Sequence, residues 1–271
     1  MKAVVKMPIA PLHSEPNAQS ERVDEILHGW QVTINDTIGV FFNITTDYGY
    51  KGFVEGDFLA FDANLAYFAT PSKLQTIISN FADVTTEPDV RASIIATLPR
   101  GGFVLTHEKF ANHTAITLAN GTTAYVRNNT IHQNNTINSD EKTLRKNLVD
   151  CAKIYLGTQY RWGGKSPLGI DCSGLTFMSY RFNGITIWRD AHYKDGYPLI
   201  KIPPETAKKG DLLYFPRHIA MLAEHDTIIH SAFANNGVVM EALSKNIKLS
   251  QSVLYATTFF ERCEPTGVFP P

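Results

Sequence analysis

Cysteine is scarce in this sequence: Cys151, Cys172 and Cys263 are the only three in 271 residues. Three scattered cysteines exclude a disulfide framework, and without a CxxC pair there is no zinc knuckle. Long hydrophobic runs are missing too. No stretch of about eighteen apolar residues occurs, so nothing here reads as a membrane-spanning helix. Excess charge of one sign is absent: 25 Lys and Arg stand against 26 Asp and Glu, for a formal net charge of -1. That balance argues against nucleic acid or an anionic membrane surface as the main partner, because both reward clustered positive charge. The opening residues, Met1 to Pro8, lack the uninterrupted apolar core of a secretory signal. The chain is therefore expected in the cytoplasm if this N-terminus is native, and otherwise in the cell envelope with its signal removed. A phosphate loop is excluded as well. Gly164-Lys165-Ser166 resembles the end of one, but the required earlier glycine falls on Gln159.

What is present is enough to build cores. The hydrophobic fraction is 44%, and the length suits two or three small domains. An internal repeat organises the first half. Pro16 and Pro88, Gly29 and Gly101, Val32 and Val104, Phe53 and Tyr125, and Val54 and Val126 are each 72 residues apart. Short β-branched strands and glycine turns around these positions predict two small all-β barrels. Boundaries are expected at 1–64 and 65–138. Between the barrels, Leu74, Ile77 and Ile78 predict a short helix over Pro71 to Phe81, and the polar stretch Asn128 to Asp140 reads as a linker.

From 139 to 271 the character changes. Ser139 is the expected N-cap of a helix with Asp140 and Glu141 in its first turn, and Leu144, Leu148, Ala152 and Tyr155 recur along one face. Cys151 falls within that apolar helix face and is expected in the core. A second helix starts near Cys172, and strands follow at Leu212–Phe215, Ile219–Leu222 and Thr227–Ile229. This third unit reads as α+β.

The candidate chemistry lies in Tyr160-Arg161-Trp162-Gly163-Gly164 and Gly169-Ile170-Asp171-Cys172-Ser173-Gly174-Leu175. Glycines supply a loop, Asp171 an N-cap, and the first helical turn a thiol. Unpaired N–H groups and the positive end of the helix dipole favour thiolate there, so a lowered pKa is expected for Cys172. His218 opens a strand in Pro216-Arg217-His218-Ile219, and His230 follows twelve residues later. A hairpin turning at His225-Asp226 would set the two imidazoles side by side, the second orienting the first. The remaining histidines read as surface residues.

These motifs resemble the NlpC/P60 family of papain-like peptidases, whose signature is a loop ending Asp-Cys-Ser-Gly, a histidine opening a strand, and a third polar residue on the next strand. The match is carried by Asp171 to Gly174, His218 and His230. The resemblance implies a multidomain protein: two SH3-like barrels followed by an α+β papain-like NlpC/P60 domain. It implies a cysteine peptidase with Cys172, His218 and His230 as its catalytic set. No cofactor and no metal are expected, and bacterial murein-derived peptides are the expected partner.

The whole chain is similar to a narrower group with that domain order. Its enzymes cleave the γ-D-glutamyl bond to the diamino acid of murein peptides and require a free N-terminal L-alanine. By that resemblance Asp190 and Tyr160 hold the alanine end, with Asp171 and Ser173 also lining the substrate site. The first SH3-like domain contributes Glu21, in Ser20-Glu21-Arg22-Val23, and Tyr50, in Tyr48-Gly49-Tyr50. One departure is Phe53, where a tryptophan is usual. Asp190 could instead pair with its neighbour Arg189. Two alternatives stand beside this reading: a zinc hydrolase using the same Cys-His-His set, and a murein-binding module with an inactive hydrolase domain.

Overall fold

A computed structural model describes residues 1–61, 71–133 and 140–260. The expected domain boundaries near 64 and 138, together with Ser139 and Cys263, lie outside these residues. The chain divides into two compact units. Residues 1–135 and 161–169 form one; residues 136–160 and 170–271 form the other.

The first unit holds two seven-stranded sheets. One contains β1 (Lys2–Val5), β2 (Ile9–His13), β3 (Arg22–Leu27), β4 (Gln31–Ile38), β5 (Phe41–Thr46), β6 (Lys51–Glu55) and β7 (Leu59–Ala60). The other contains β8 (Leu74–Ile77), β9 (Phe81–Thr85), β10 (Ile94–Pro99), β11 (Phe103–Lys109), β12 (His113–Thr117), β13 (Thr123–Arg127) and β14 (Ile131–Gln133). Strand order is β3-β2-β6-β5-β4-β1-β7 in the first and β10-β9-β13-β12-β11-β8-β14 in the second. The two orders are the same, strand for strand. The repeat is kept where it is buried: Leu12 and Val84, Ile26 and Leu98, Ile44 and Ile116, and Val54 and Val126 all lie in the cores. Gly29 and Gly101 both take positive φ, at 76° and 93°. A Cβ on Gly29 would also lie 2.3 Å from the Phe103 carbonyl oxygen, so this turn admits only glycine.

Two expectations are corrected here. Pro71–Lys73 is a single 3-10 turn, and the predicted helix is replaced by β8, which pairs with β11 and β14. Apolar residues three and four apart fit a short strand as well as a short helix, and the sheet supplied the hydrogen bonds. The expected linker begins as structure: Asn128–Thr130 is a 3-10 turn and Ile131 pairs with Ile77.

Residues 161–169 pack on the first sheet. Lys165 is fully buried, its Nζ 2.9 Å from Asp24 Oδ2 and 2.8 Å from the Tyr48 hydroxyl, over the Trp30 and Tyr48 rings. Its backbone N–H donates to Glu25 Oε1 at 2.7 Å. This is why Gly164-Lys165-Ser166 looks like a phosphate loop without being one: the ammonium is committed to a buried carboxylate.

The second unit is α+β. Helix α1 (Glu141–Lys153) is capped by Asp140, one residue beyond the expected Ser139, because the Asp140 carboxylate accepts from Thr143 N–H. Leu144, Leu148 and Ala152 are buried as the spacing required, whereas Cys151 is only half-buried. Helix α2 (Cys172–Arg181) is buried almost throughout. A six-stranded antiparallel sheet comprises β15 (Ile200–Ile202), β16 (Leu212–Phe215), β17 (His218–Glu224), β18 (Thr227–Ala232), β19 (Gly237–Ala242) and β20 (Tyr255–Thr258), in the order β15-β20-β16-β17-β18-β19. Helix α3 (Ile247–Ser250) follows β19. Among the described residues no helix is long and apolar enough to cross a membrane.

Candidate active site

The loop before α2 ends in Asp171, whose Oδ1 accepts from the Gly174 N–H at 2.6 Å. That cap sets Cys172 in the first turn, only 6% exposed. Arg189, itself buried, grips the cap from the other side. Its Nη1 donates to Asp171 Oδ1 at 3.0 Å and to Ser173 Oγ at 2.8 Å, and its Nη2 to Asp171 Oδ2 at 3.0 Å. Such a bidentate clamp fixes both position and orientation. The side chains of Asp171 and Ser173 are thus engaged with one another and with Arg189. They form framework, and what they present at the helix start is backbone.

Across the sheet, β17 and β18 join at His225-Asp226, where the sequence placed the turn. The Met221↔Ile229 register puts His218 and His230 on one face, offset along the strands. Diagonal neighbours of this kind are within reach of long side chains. His218 Nε2 lies 2.8 Å from His230 Nδ1. On the far side, His230 Nε2 lies 3.1 Å from Glu241 Oε1 on β19, an ion-pair contact off the line of the ring N–H. The Ile219 N–H, one residue beyond His218, points at the Cys172 sulfur, so β17 starts beside the thiol.

The electrostatics differ from the expectation. Burial, with a smaller contribution from the Asp171 carboxylate, pushes the Cys172 thiol up to about 12. The Ile219 and Ser173 N–H groups and Arg189 oppose this and do not overcome it. Burial and the adjacent His230 hold His218 down at about 4. Desolvation outweighs the helix terminus, and the resting pair is thiol and neutral imidazole. His230 is lowered by burial, with Glu241 acting against the shift.

Tyr160 is half-buried and bridges to Ile170; burial first, then Cys172 and Asp171, raise its phenol well above the ordinary value. These charges reach it because it stands beside the thiol. Asp190 is half-buried, and its carbonyl accepts from His192 N–H at 2.8 Å. Glu21 and Tyr50 belong to the first unit. Glu21 is exposed, its Oε1 accepting from the Trp162 indole at 2.8 Å, and the Tyr50 ring lies 6.4 Å from that of Tyr48. Sequence reasoning missed Arg189 as the clamp and Glu241 altogether. Nothing local marks either residue, because the partner of Arg189 lies at the start of α2 and that of Glu241 on another strand. Among the described residues no group of three or more His, Cys, Asp or Glu side chains is arranged to hold a metal ion.

Comparison with known proteins agrees with this geometry. Residues 157–256 match the NlpC/P60 family. The chain is 35% identical over 263 residues to Dipeptidyl-peptidase 6 of Lysinibacillus sphaericus, covering 95% of this chain and 97% of that one. It is 32% identical over 133 residues to the gamma-D-glutamyl-L-lysine dipeptidyl-peptidase of Bacillus cereus, covering 45% of this chain and 39% of the relative. A crystal structure of an NlpC/P60 family protein from Bacillus cereus shares the fold with a TM-score of 0.82 at 20% identity, covering 96% of this chain and 99% of that one. The chain belongs to the NlpC/P60 family, as a peptidase of cell-wall peptides with a mostly β N-terminal region before its catalytic domain.

Proposed function

We propose that the protein is a cysteine peptidase that cuts the γ-D-glutamyl bond to the diamino acid of murein peptides bearing a free N-terminal L-alanine, releasing L-Ala-γ-D-Glu. The observation that supports it most is the convergence at Cys172: a thiol in a capped first helical turn, beside a strand headed by His218 with His230 2.8 Å behind it. The substrate bond is carried over from the relatives, two of which are gamma-D-glutamyl-L-lysine dipeptidyl-peptidases by name.

In this reading Cys172 Sγ attacks the γ-carbonyl carbon as its proton passes to His218 Nδ1, the ring nitrogen not facing His230. The carbonyl π pair moves to oxygen, where backbone N–H groups at the start of α2 can receive it. Collapse expels the diamino acid amine, which takes the proton from His218, and leaves a γ-glutamyl thioester. Water then attacks, gives its proton to His218, and the thiol is restored. A zinc site on the same residues fits poorly. Two nitrogens 2.8 Å apart share a proton, and a metal held at about 2.0–2.1 Å from each would need a cramped angle between them.

The free amino end is assigned to Asp190 and Tyr160, and by resemblance also to Glu21 and Tyr50. A half-buried carboxylate that binds an ammonium is left without its cation when the terminus is blocked. Stranding a buried charge costs about 3–5 kcal/mol, and each ~1.4 kcal/mol is tenfold. At a half-buried site roughly a hundredfold preference for the free terminus is expected. The measurement is kcat/KM for free against N-acetylated L-Ala-γ-D-Glu-diamino acid, in wild type and in Asp190→Ala, Glu21→Ala and Tyr50→Phe. Equal values for the two substrates in wild type would refute the assignment. Activity lost to a chelator and restored by zinc would refute the thiol mechanism.

A further inference from the structure

We propose that Glu241 is a positioning residue that sets the protonation order of both histidines, and so decides which nitrogen of His218 faces the thiol bare. The inference deepens the proposed function and rests on the pairing of Cys172 with His218. Glu241, His230 and His218 sit on three adjacent strands. The register pairs His230 with Val239, so Glu241, two residues on, shares the face of His230. The chain of contacts is Glu241 Oε1 to His230 Nε2 at 3.1 Å, then His230 Nδ1 to His218 Nε2 at 2.8 Å. Glu241 is held in turn. Asn246 Nδ2 donates to its Oε1 at 2.7 Å, while Asn246 Oδ1 caps α3 through the Leu249 N–H.

The direction of the chain follows from donor and acceptor chemistry. An ionised carboxylate carries no proton, and although it sits off the line of the ring N–H, its charge 3.1 Å from Nε2 favours the proton of neutral His230 on that nitrogen. Its Nδ1 is then an acceptor, and the 2.8 Å contact requires the proton of His218 on Nε2. The lone pair of His218 Nδ1 is thereby left for the thiol proton. Without the carboxylate, His230 can carry its proton on Nδ1, which turns the order round and puts N–H on the His218 nitrogen meant to be the base. Among the described residues the charged or titratable groups that act on these side chains are Asp171 and Arg189 on Cys172, Cys172 on Tyr160, His230 on His218, and Glu241 on His230. Glu241 is the anion acting on His230, where it stabilises imidazolium.

Two substitutions in the full chain separate tautomer control from charge. Glu241→Ala removes both and should lower kcat about tenfold with little change in KM, well short of the roughly 10²–10⁴-fold of the base itself. Glu241→Gln still offers an amide oxygen to His230 Nε2–H and to Asn246, so most of kcat should return. Both variants lose the anion. Imidazolium becomes less stable, and the acid limb of kcat/KM should move to lower pH by about half a unit. The assay uses free L-Ala-γ-D-Glu-L-Lys, with melting temperature as a fold control. Unchanged kcat in Glu241→Ala overturns the proposal. So does a loss of kcat that follows a fall in melting temperature while the acid limb stays in place. Turnover by Cys172→Ala would instead overturn the underlying mechanism, whatever Glu241 does.

Discussion

A cysteine at a helix start and a histidine at a strand start are each held by their neighbours before they meet any substrate. Asp171 caps α2 and is clamped by Arg189, so Cys172 has little freedom to move. Burial then sets the charge states, with Cys172 at about 12 and His218 at about 4. Between those values the resting site carries thiol and neutral imidazole, and the proton moves only as the sulfur attacks. Alkylation of Cys172 by iodoacetamide in the free enzyme should therefore be slow at pH 6 and keep rising through pH 9. Cys172→Ala serves as the blank for the half-buried Cys151. A reactive plateau reaching into mild acid would mean that a thiolate–imidazolium pair exists at rest. Cys172→Ala itself should abolish turnover while lowering melting temperature only modestly, since the buried site loses a single sulfur.

At the scale of elements, residues 161–169 carry a buried ion pair into the first sheet. Lys165 and Asp24 are both fully buried, 2.9 Å apart, with the Tyr48 hydroxyl bridging them. Removing one partner leaves the other charge uncompensated, which costs about 3–5 kcal/mol. Lys165→Met should lower unfolding stability in urea by that order. The double variant Lys165→Met with Asp24→Asn should lose clearly less than the sum of the two single changes, because the Asp24 charge is removed together with its partner. Additive losses would show that the pair is not coupled. The same segment shows a limit of local reading. Arg161–Gly169 lies beside the nucleophile motif in sequence, yet its buried lysine answers to an aspartate 141 residues away.

For the molecule as a whole, the two sheets of the first unit are joined by a histidine that must be neutral. His28 Nδ1 lies 3.0 Å from the Lys6 carbonyl, and its Nε2 accepts from the Ala119 N–H at 3.2 Å. Only the neutral ring can donate at one nitrogen and accept at the other. Burial accordingly lowers His28 to about 4, against about 6.5 in an unfolded chain. As pH falls below 6.5 the unfolded chain takes up this proton first, so stability present at neutral pH is lost down to about pH 4. The loss is up to about 3 kcal/mol. Melting temperatures at pH 7 and 4.5 should therefore fall more in wild type than in His28→Gln, which keeps one donor and one acceptor. An equal fall would show that other groups govern acid unfolding. His13 and His113 are buried as well, so three of the histidines expected at the surface are not there.

What the sequence determined by itself is whatever depends on period, spacing and caps. The 72-residue offset links core positions such as Val32 with Val104 and Val54 with Val126, and its two copies fold to one strand order because like burial patterns select like pairings. Asp171 before Cys172, and a turn at His225-Asp226 between two histidines, were legible because capping and hairpin geometry act within a few residues. Tertiary structure decided the rest. Pro71 to Phe81 became a turn and a strand because the sheet offered hydrogen bonds that a lone short helix could not match. Arg189 and Glu241 acquired their places because their partners come from separate elements. The thiol kept its proton because desolvation, a property of everything packed around Cys172, outweighs the helix terminus that the local sequence supplies.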